Sequence, residues 1–345
     1  MGIYIQSIEQ ISIQEPLSEK WFLSPIPYQT DTYNGFIYPD FKPYFTPIAA
    51  RRLDNLLKVS VVTAKKAIEN AGAALENGAE SLQGIILGTG LGSIEMTEKF
   101  LLSMIGNNEE FLQPTAFTNS THNTLCTLIA LTLQCQGYNT TYSHGGMSFD
   151  SALLDSLLQF RNNRLNNVLV CADDYITERF YTILNKTDML ESAVTGQTSL
   201  SMLLSDRKND NSYCRLVDGE IIRCNSEESL AKVFDRLLER NNLSADRIDA
   251  TVINASAPDN RQIMNLNSKC LGNRPMLWYK HIFGENPCSS AFGIYVAAVC
   301  LKNRFIPANL QYRNGSVRCT DVPKTIAVYN SYNKQHSIYL LQCLD

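Results

Sequence analysis

Apolar residues along this chain follow two rhythms, one with helical spacing and one of short runs between turn residues, and their order repeats. From Leu53, the positions Leu53, Leu56, Leu57, Val61, Ala64, Ile68 and Ala71 share one helical face, Gly72 is a natural terminator, and Pro47 stands where a helix could begin. A polar loop then leads to the apolar run Gly84 to Leu87. From Ser226 the plan recurs: Glu227 and Glu228 occupy a first turn, and Leu230, Val233, Phe234, Leu237 and Leu238 form a face. The polar loop Asn241 to Asp249 leads into a strand, Ala250 to Asn254. After each strand come a Gly- or Pro-containing turn, a helical stretch, a further strand, a very apolar helix and a last pair of strands. Two similar halves, residues 1–206 and 207–345, are predicted to form one compact unit. The first 45 residues lack a sustained period, so after a strand at Ile3 to Ile5 they read as long surface loops.

The two very apolar helices say most about architecture. Cys288 to Cys300 carries no charge on any face and is too short to span a bilayer, so protein must bury it on all sides. Met147 to Phe160 is its counterpart, with Asp150 and Asp155 as its charges. Runs Val168 to Cys171 and Leu200 to Leu204 read as strands covered on both faces. A layered α/β architecture with helices trapped between two sheets follows.

Composition narrows the function. The 345 residues, 44% of them hydrophobic, suffice for one large core or two ordinary ones. Lys plus Arg total 30 against 34 Asp plus Glu, a formal charge of -4, so nucleic acid is not an expected partner. No window reaches the roughly 18 apolar residues of a membrane span. Met1 to Glu9 is too polar for a signal peptide, so a soluble, cytoplasmic protein is expected. None of the ten cysteines falls in a C-x-x-C pair or at zinc-ligand spacing, so neither a disulfide framework nor a metal site is expected. Sequons such as Asn139 and Asn185 carry no weight without a secretory route.

Several motifs invite chemistry that their surroundings do not support. Gly88-Thr89-Gly90-Leu91-Gly92 suggests a dinucleotide turn, but Ser93 stands where the third glycine belongs, so a tight turn between closely approaching segments is favoured. His144-Gly145-Gly146 resembles an esterase oxyanion loop, yet the chain has no G-x-S-x-G elbow. His122 lies in a polar stretch before an apolar helix, His336 enters a terminal strand, and His281 follows Lys280 without an evident partner.

Taken together, the plan resembles the thiolase fold of β-ketoacyl synthases, a five-layered αβαβα arrangement of two similar halves. Pro114-Thr115-Ala116-Phe117 and Ser120-Thr121-His122-Asn123 resemble the stretch before the active-site segment in ketosynthases of aryl polyene and flexirubin-type pathways. Gly88 to Gly92 with Thr97-Glu98-Lys99-Phe100, and Tyr142 to Leu154, are similar to the same group. Lys280-His281-x-x-Gly284-Glu285 and the helix from Ser289 extend the likeness, which runs from about Leu53 to the C-terminus.

A working member of that family places a cysteine at a tight strand-to-helix turn, where the helix dipole lowers its pKa. Two histidines assist decarboxylation of a malonyl unit, and a C-terminal glycine-rich loop helps form the oxyanion hole. Carried onto this chain, the nucleophile falls on Gly146, the first histidine on Ser256 and the second on Glu285 behind Gly284, with Lys280 retained. The C-terminal loop reads Asn330-Ser331-Tyr332-Asn333-Lys334-Gln335, without glycine. Cys288 and the pair His144 and Asp150 could be imagined as substitutes, but a buried cysteine and a histidine without a nucleophile are the plainer readings.

The resemblance therefore implies a catalytically degenerate, non-catalytic, chain-length-factor-like subunit of an acyltransferase complex in polyketide or fatty-acid-type biosynthesis. Its implied partners are a cysteine-bearing ketosynthase, paired through Tyr138 to Ser143 as a heterodimer, and an acyl carrier protein. Acyl chains would arrive on the carrier's phosphopantetheine, with no cofactor of the chain's own. His122, Tyr142, His144, Met147 and Phe149 are candidate tunnel or interface residues within the wider stretches Phe100 to Phe117 and Met147 to Leu154. Two alternatives stand: an independent thiolase-fold enzyme using Glu285 or His144 as general base, and a carrier-docking protein without a tunnel.

Overall fold

The computed structural model describes residues 2–72, 75, 81–110, 112, 114–187, 194–224, 226–254, 274–312 and 322–344. In the first half, strands β1 (Ile3–Ile11), β2 (Gly84–Gly88), β3 (Tyr138–Tyr142), β4 (Asn167–Asp174) and β5 (Thr198–Ser205) lie in the order β3-β2-β4-β5-β1. In the second, β6 (Cys214–Arg223), β7 (Ala250–Ile253), β8 (Met276–Trp278), β9 (Thr325–Tyr332) and β10 (Gln335–Gln342) lie in the order β8-β7-β9-β10-β6. These orders are the same permutation, and the directions match too. Three strands run parallel, and the next two pair antiparallel in each half. A short antiparallel pairing of Ile3 to Ile5 with Cys214 to Leu216 joins the halves into one ten-stranded ladder.

Helices cover and separate the strands. The first half contributes α1 (Pro47–Arg52), α2 (Asn55–Asn70), α3 (Ile94–Gly106), α4 (Pro114–Ser120), α5 (Asn123–Leu133), α6 (Ser148–Arg161) and α7 (Glu178–Lys186). The second contributes α8 (Glu227–Arg240), α9 (Lys280–Phe283) and α10 (Ser290–Asn303). Neighbours on one strand face different layers. On β2, Ile85 and Leu87 pack with α2 and α5, while Ile86 packs with α6 and α10. Helix α8 packs on the far side, against Ile253, Ala327 and Leu340. The layers thus run α, β, α, β, α, with α6 and α10 in the middle. Every residue from Ser290 to Leu301 is buried, as a helix without charge requires.

Local signals account for the helix ends. Thr46 caps α1, which has Pro47 in its first turn, and Asp54 caps α2 by accepting from the Leu57 amide at 2.7 Å. Gly72, at φ +56°, takes the left-handed turn after α2. No helix of the described residues is long and apolar enough to cross a membrane.

Two expectations for the N-terminal segment need correction. Strand β1 continues to Ile11 because its polar residues find partners inside. Ser7 donates to the Ala67 carbonyl at 2.6 Å and Gln10 to the Glu15 carbonyl at 2.8 Å, while an irregularity between Ile5 and Ser7 breaks the apolar alternation. Residues 12–45 are also more than surface loops. Trp21, Phe22 and Phe36 are buried, and the Trp21 ring lies 5.0 Å from Phe283 and 5.1 Å from Tyr295. Irregular backbone delivers these anchors, which is why no period marks them.

Candidate functional site

The site is built where β3 turns into α6. After Tyr142 the chain passes through Gly145, at φ +55°, and a 3-10 turn, Gly145–Met147. Ser148 ties this turn by accepting from the His144 amide at 2.8 Å and donating to the Gly145 carbonyl at 2.7 Å. Gly88, closing β2, lets α6 start close by: a Cβ there would stand 2.5 Å from the Phe149 nitrogen. Met147 and Phe149 are wholly buried, and Tyr142 is half-buried against the central core. Burial, aided by the nearby Asp155 charge, pushes the Tyr142 phenol up to about 12.

Gly146 sits at the tip of this turn under the ring of Tyr332. A Cβ at position 146 would lie 2.6 Å from Tyr332 Cδ2 and 2.7 Å from Cγ, closer than carbon atoms approach. Asn330, two residues earlier on β9, donates through Nδ2 to the Gly146 carbonyl at 3.0 Å and to Asp150 Oδ2 at 2.8 Å. Its side-chain oxygen accepts from Asn254 at the end of β7. Asp150 Oδ2 also accepts from Ser290 at 2.8 Å, and Oδ1 accepts from Ser337. Burial raises the Asp150 carboxyl, and these donors pull it back. Four elements, α6, α10, β9 and β10, are therefore pinned at one carboxyl.

Glu285, the residue onto which the resemblance carries the second histidine, forms an ion pair. Lys280, buried on α9, pairs with Glu285 Oε2, while Ser289 donates to Oε1 at 3.1 Å. Gly284, at φ +74°, approaches Gly196 so closely that a Cβ on Gly196 would fall 1.9 Å from the Phe283 carbonyl. That crossing holds Glu285 beside Thr195 in an isolated bridge, with the Gly196 amide donating to the Glu285 carbonyl at 3.0 Å. Ser256 lies outside the described residues.

The glycine turn after β2 is filled from within. The Asp174 carboxylate accepts from Thr89 Oγ1 at 2.9 Å, the Gly90 amide at 3.0 Å and the Leu91 amide at 2.8 Å. These are the donors a phosphate would need. Cys288 donates to the Gly88 carbonyl at 3.2 Å, and burial followed by the Asp174 charge pushes its thiol well up.

The histidines have ordinary partners. His144 meets Ser151 through Nδ1 at 3.2 Å and Gln335 through Nε2 at 2.9 Å, while Asp150 spends its oxygens elsewhere, so the two do not form a pair. His122 is exposed and backs onto Gly92. His336 is buried and bonded to Tyr329 at 2.8 Å. His281 does have partners, contrary to expectation: the Asn309 carbonyl at 2.8 Å and the Trp278 ring at 4.5 Å. Among the described residues no cluster of His, Cys, Asp and Glu could hold a metal ion.

Sequence reasoning missed Asn330, Ser290 and Ser337 as partners of Asp150, and Asp174 as the filler of the glycine turn. A buried charge on an otherwise apolar helix was the available signal for the first group.

Many solved structures share this fold, and three of them match over nearly their full length at low identity. "The ishigamide ketosynthase/chain length factor" matches with TM-score 0.78 at 13% identity, covering 100% of this chain and 99% of that one. A β-ketoacyl synthase from Burkholderia phymatum matches with TM-score 0.76 at 12% identity, covering 100% of each. A type II PKS acyl-carrier protein in complex with its ketosynthase bound to the hexaketide matches with TM-score 0.79 at 12% identity, covering 99% of each. No curated protein matches the chain in sequence. The family model for the β-ketoacyl synthase N-terminal domain matches residues 17–192, beginning well before Leu53, where the motif likeness starts. With that match over more than half its length and the five-layered thiolase fold beneath it, the chain belongs to the β-ketoacyl synthase family.

Proposed function

We propose that this chain is the acylation-silent, chain-length-factor-like subunit of a heterodimeric ketosynthase in polyketide or fatty-acid-type biosynthesis, of the aryl polyene or flexirubin kind. The observation that carries the reading is Gly146 at the tip of the strand-to-helix turn. In the family the acyl group is carried as a thioester on a cysteine, the resemblance puts that cysteine at this position, and glycine has no atom to hold the acyl group. Glu285, bonded to Lys280 and Ser289, offers neither a free base nor the neutral imidazole that decarboxylation calls for.

A partner subunit would supply the cysteine and both histidines, in the cytoplasm. An acyl carrier protein would deliver chains on phosphopantetheine to that subunit. Solved structures described as a ketosynthase/chain length factor and as a carrier protein with its ketosynthase support this choice of partners. Edge strand β3, with Tyr138 and Asn139 exposed, is the surface we assign to the partner.

Intact mass spectrometry after incubation with acyl carrier protein or acyl-CoA should show no acyl adduct on the purified chain. A stoichiometric adduct would overturn the reading. Co-expression with candidate ketosynthases followed by native mass spectrometry should give a one-to-one heterodimer, and an active homodimer beside such a partner would argue against it.

A further inference from the structure

A missing nucleophile does not by itself close a site, since an empty turn could still admit a thioester. The ring of Tyr332 decides this here. It lies across both glycines of the turn: a Cβ on Gly145 would stand 2.8 Å from its Cε1, and one on Gly146 would stand 2.6 Å from its Cδ2. Two consecutive residues without side chains give the ring a flat floor.

The ring is held from both directions along the chain. On its N-terminal side, Asn330 is bonded to the Gly146 carbonyl at 3.0 Å. On its C-terminal side, Asn333 and Lys334 take the two-residue hairpin turn with φ of +48° and +64°, and Gln335 meets His144 at 2.9 Å. Pairing of Gln335 with Tyr332 in the ladder closes the hairpin. Tyr332 is therefore fixed by backbone geometry before its side chain makes any contact.

We propose that Tyr332 is an aromatic stopper: the hairpin Tyr332-Asn333-Lys334-Gln335 lays its ring on Gly145 and Gly146 and shuts this subunit's own acyl-transfer pocket against a phosphopantetheine thioester. The inference rests on the silent-subunit reading and deepens it. Silence is then enforced twice, by a missing thiol and by a filled approach.

The test places a reporter thiol under the ring. In Gly146→Cys alone, the introduced thiol should react slowly with iodoacetamide, followed by peptide mass spectrometry at position 146. Adding Tyr332→Ala should raise the rate at least roughly tenfold. Equal rates in the two variants would overturn the stopper. Because a Cβ at position 146 itself presses on the ring, Tyr332→Ala in the otherwise unaltered chain carries the test independently. It should gain calorimetrically detectable binding of octanoyl-pantetheine that the unaltered chain lacks, and no gain would overturn the proposal. Both readouts concern this chain by itself, so a failed search for a ketosynthase partner leaves them intact, while equal labelling leaves the partner reading untouched.

Discussion

Two glycine turns lie at the ends of neighbouring parallel strands, and both resemble ligand cradles in sequence. Gly88 to Gly92 is filled by a carboxylate, and Gly145 with Gly146 is covered by a ring. The first filler is wholly buried and bonded to three donors. The second is half-exposed at the tip of a hairpin. The difference teaches that the carboxylate is part of the fold's framework, whereas the ring governs access.

Removing the framework filler should have the largest effect. Asp174→Ala strands the Thr89 hydroxyl and the Gly90 and Leu91 amides without their acceptor, and should cost about 4 kcal/mol in denaturant unfolding. A loss no larger than that of Tyr332→Ala would erase the contrast between the two turns.

A pH dependence should follow from the neighbouring carboxyl. Burial raises Asp173 to about 7, partly offset by bonds from Ser199 and Ser60. Between its ordinary value of 3.8 and about 7 the folded state then binds more protons than the unfolded state. Stability should fall as pH rises through that window, and Asp173→Asn should flatten the fall. A curve unchanged by the substitution would contradict it.

Small additions at the two turns sharpen the comparison further. At Gly90 a Cβ would meet the Pro287 ring at 2.3 Å, a rigid neighbour, so Gly90→Ala should cost about 2 kcal/mol. At Gly146 a Cβ would press on Tyr332 Cδ2 and Cγ, and the hairpin that carries the ring must shift slightly to take it, so Gly146→Ala should cost about 1 kcal/mol. Thermal melts of the pair would reverse the assignment if Gly146→Ala proved the worse.

Much of the fold was legible because burial writes itself into composition. The uncharged run from Cys288 to Cys300 required a central helix, and Ser226 with its following glutamates marked the start of α8. Strand β1 beyond Ile5 was hidden, because buried Gln6, Ser7 and Gln10 look like surface residues until their partners are known. At the site, the family resemblance is what drew attention to Gly146, a residue without a side chain. What fills the space was not legible, because Tyr332 lies 186 positions further along, and only the packing of β9 against the turn at α6 joins them.

The smallest effect should come from His144, and it separates holding the hairpin from holding the fold. Its ring joins Ser151 on α6 to Gln335 on β10, and His144 itself is exposed, so water replaces either bond at little cost. His144→Ala should therefore lower stability by only about 0.5 kcal/mol. The same substitution frees one of the two ties beside Tyr332. In a Gly146→Cys background it should speed labelling of the introduced thiol, though by less than Tyr332→Ala does. A large loss of stability without any change in labelling would make His144 a structural residue and leave Asn330 as the tie that keeps the ring in place.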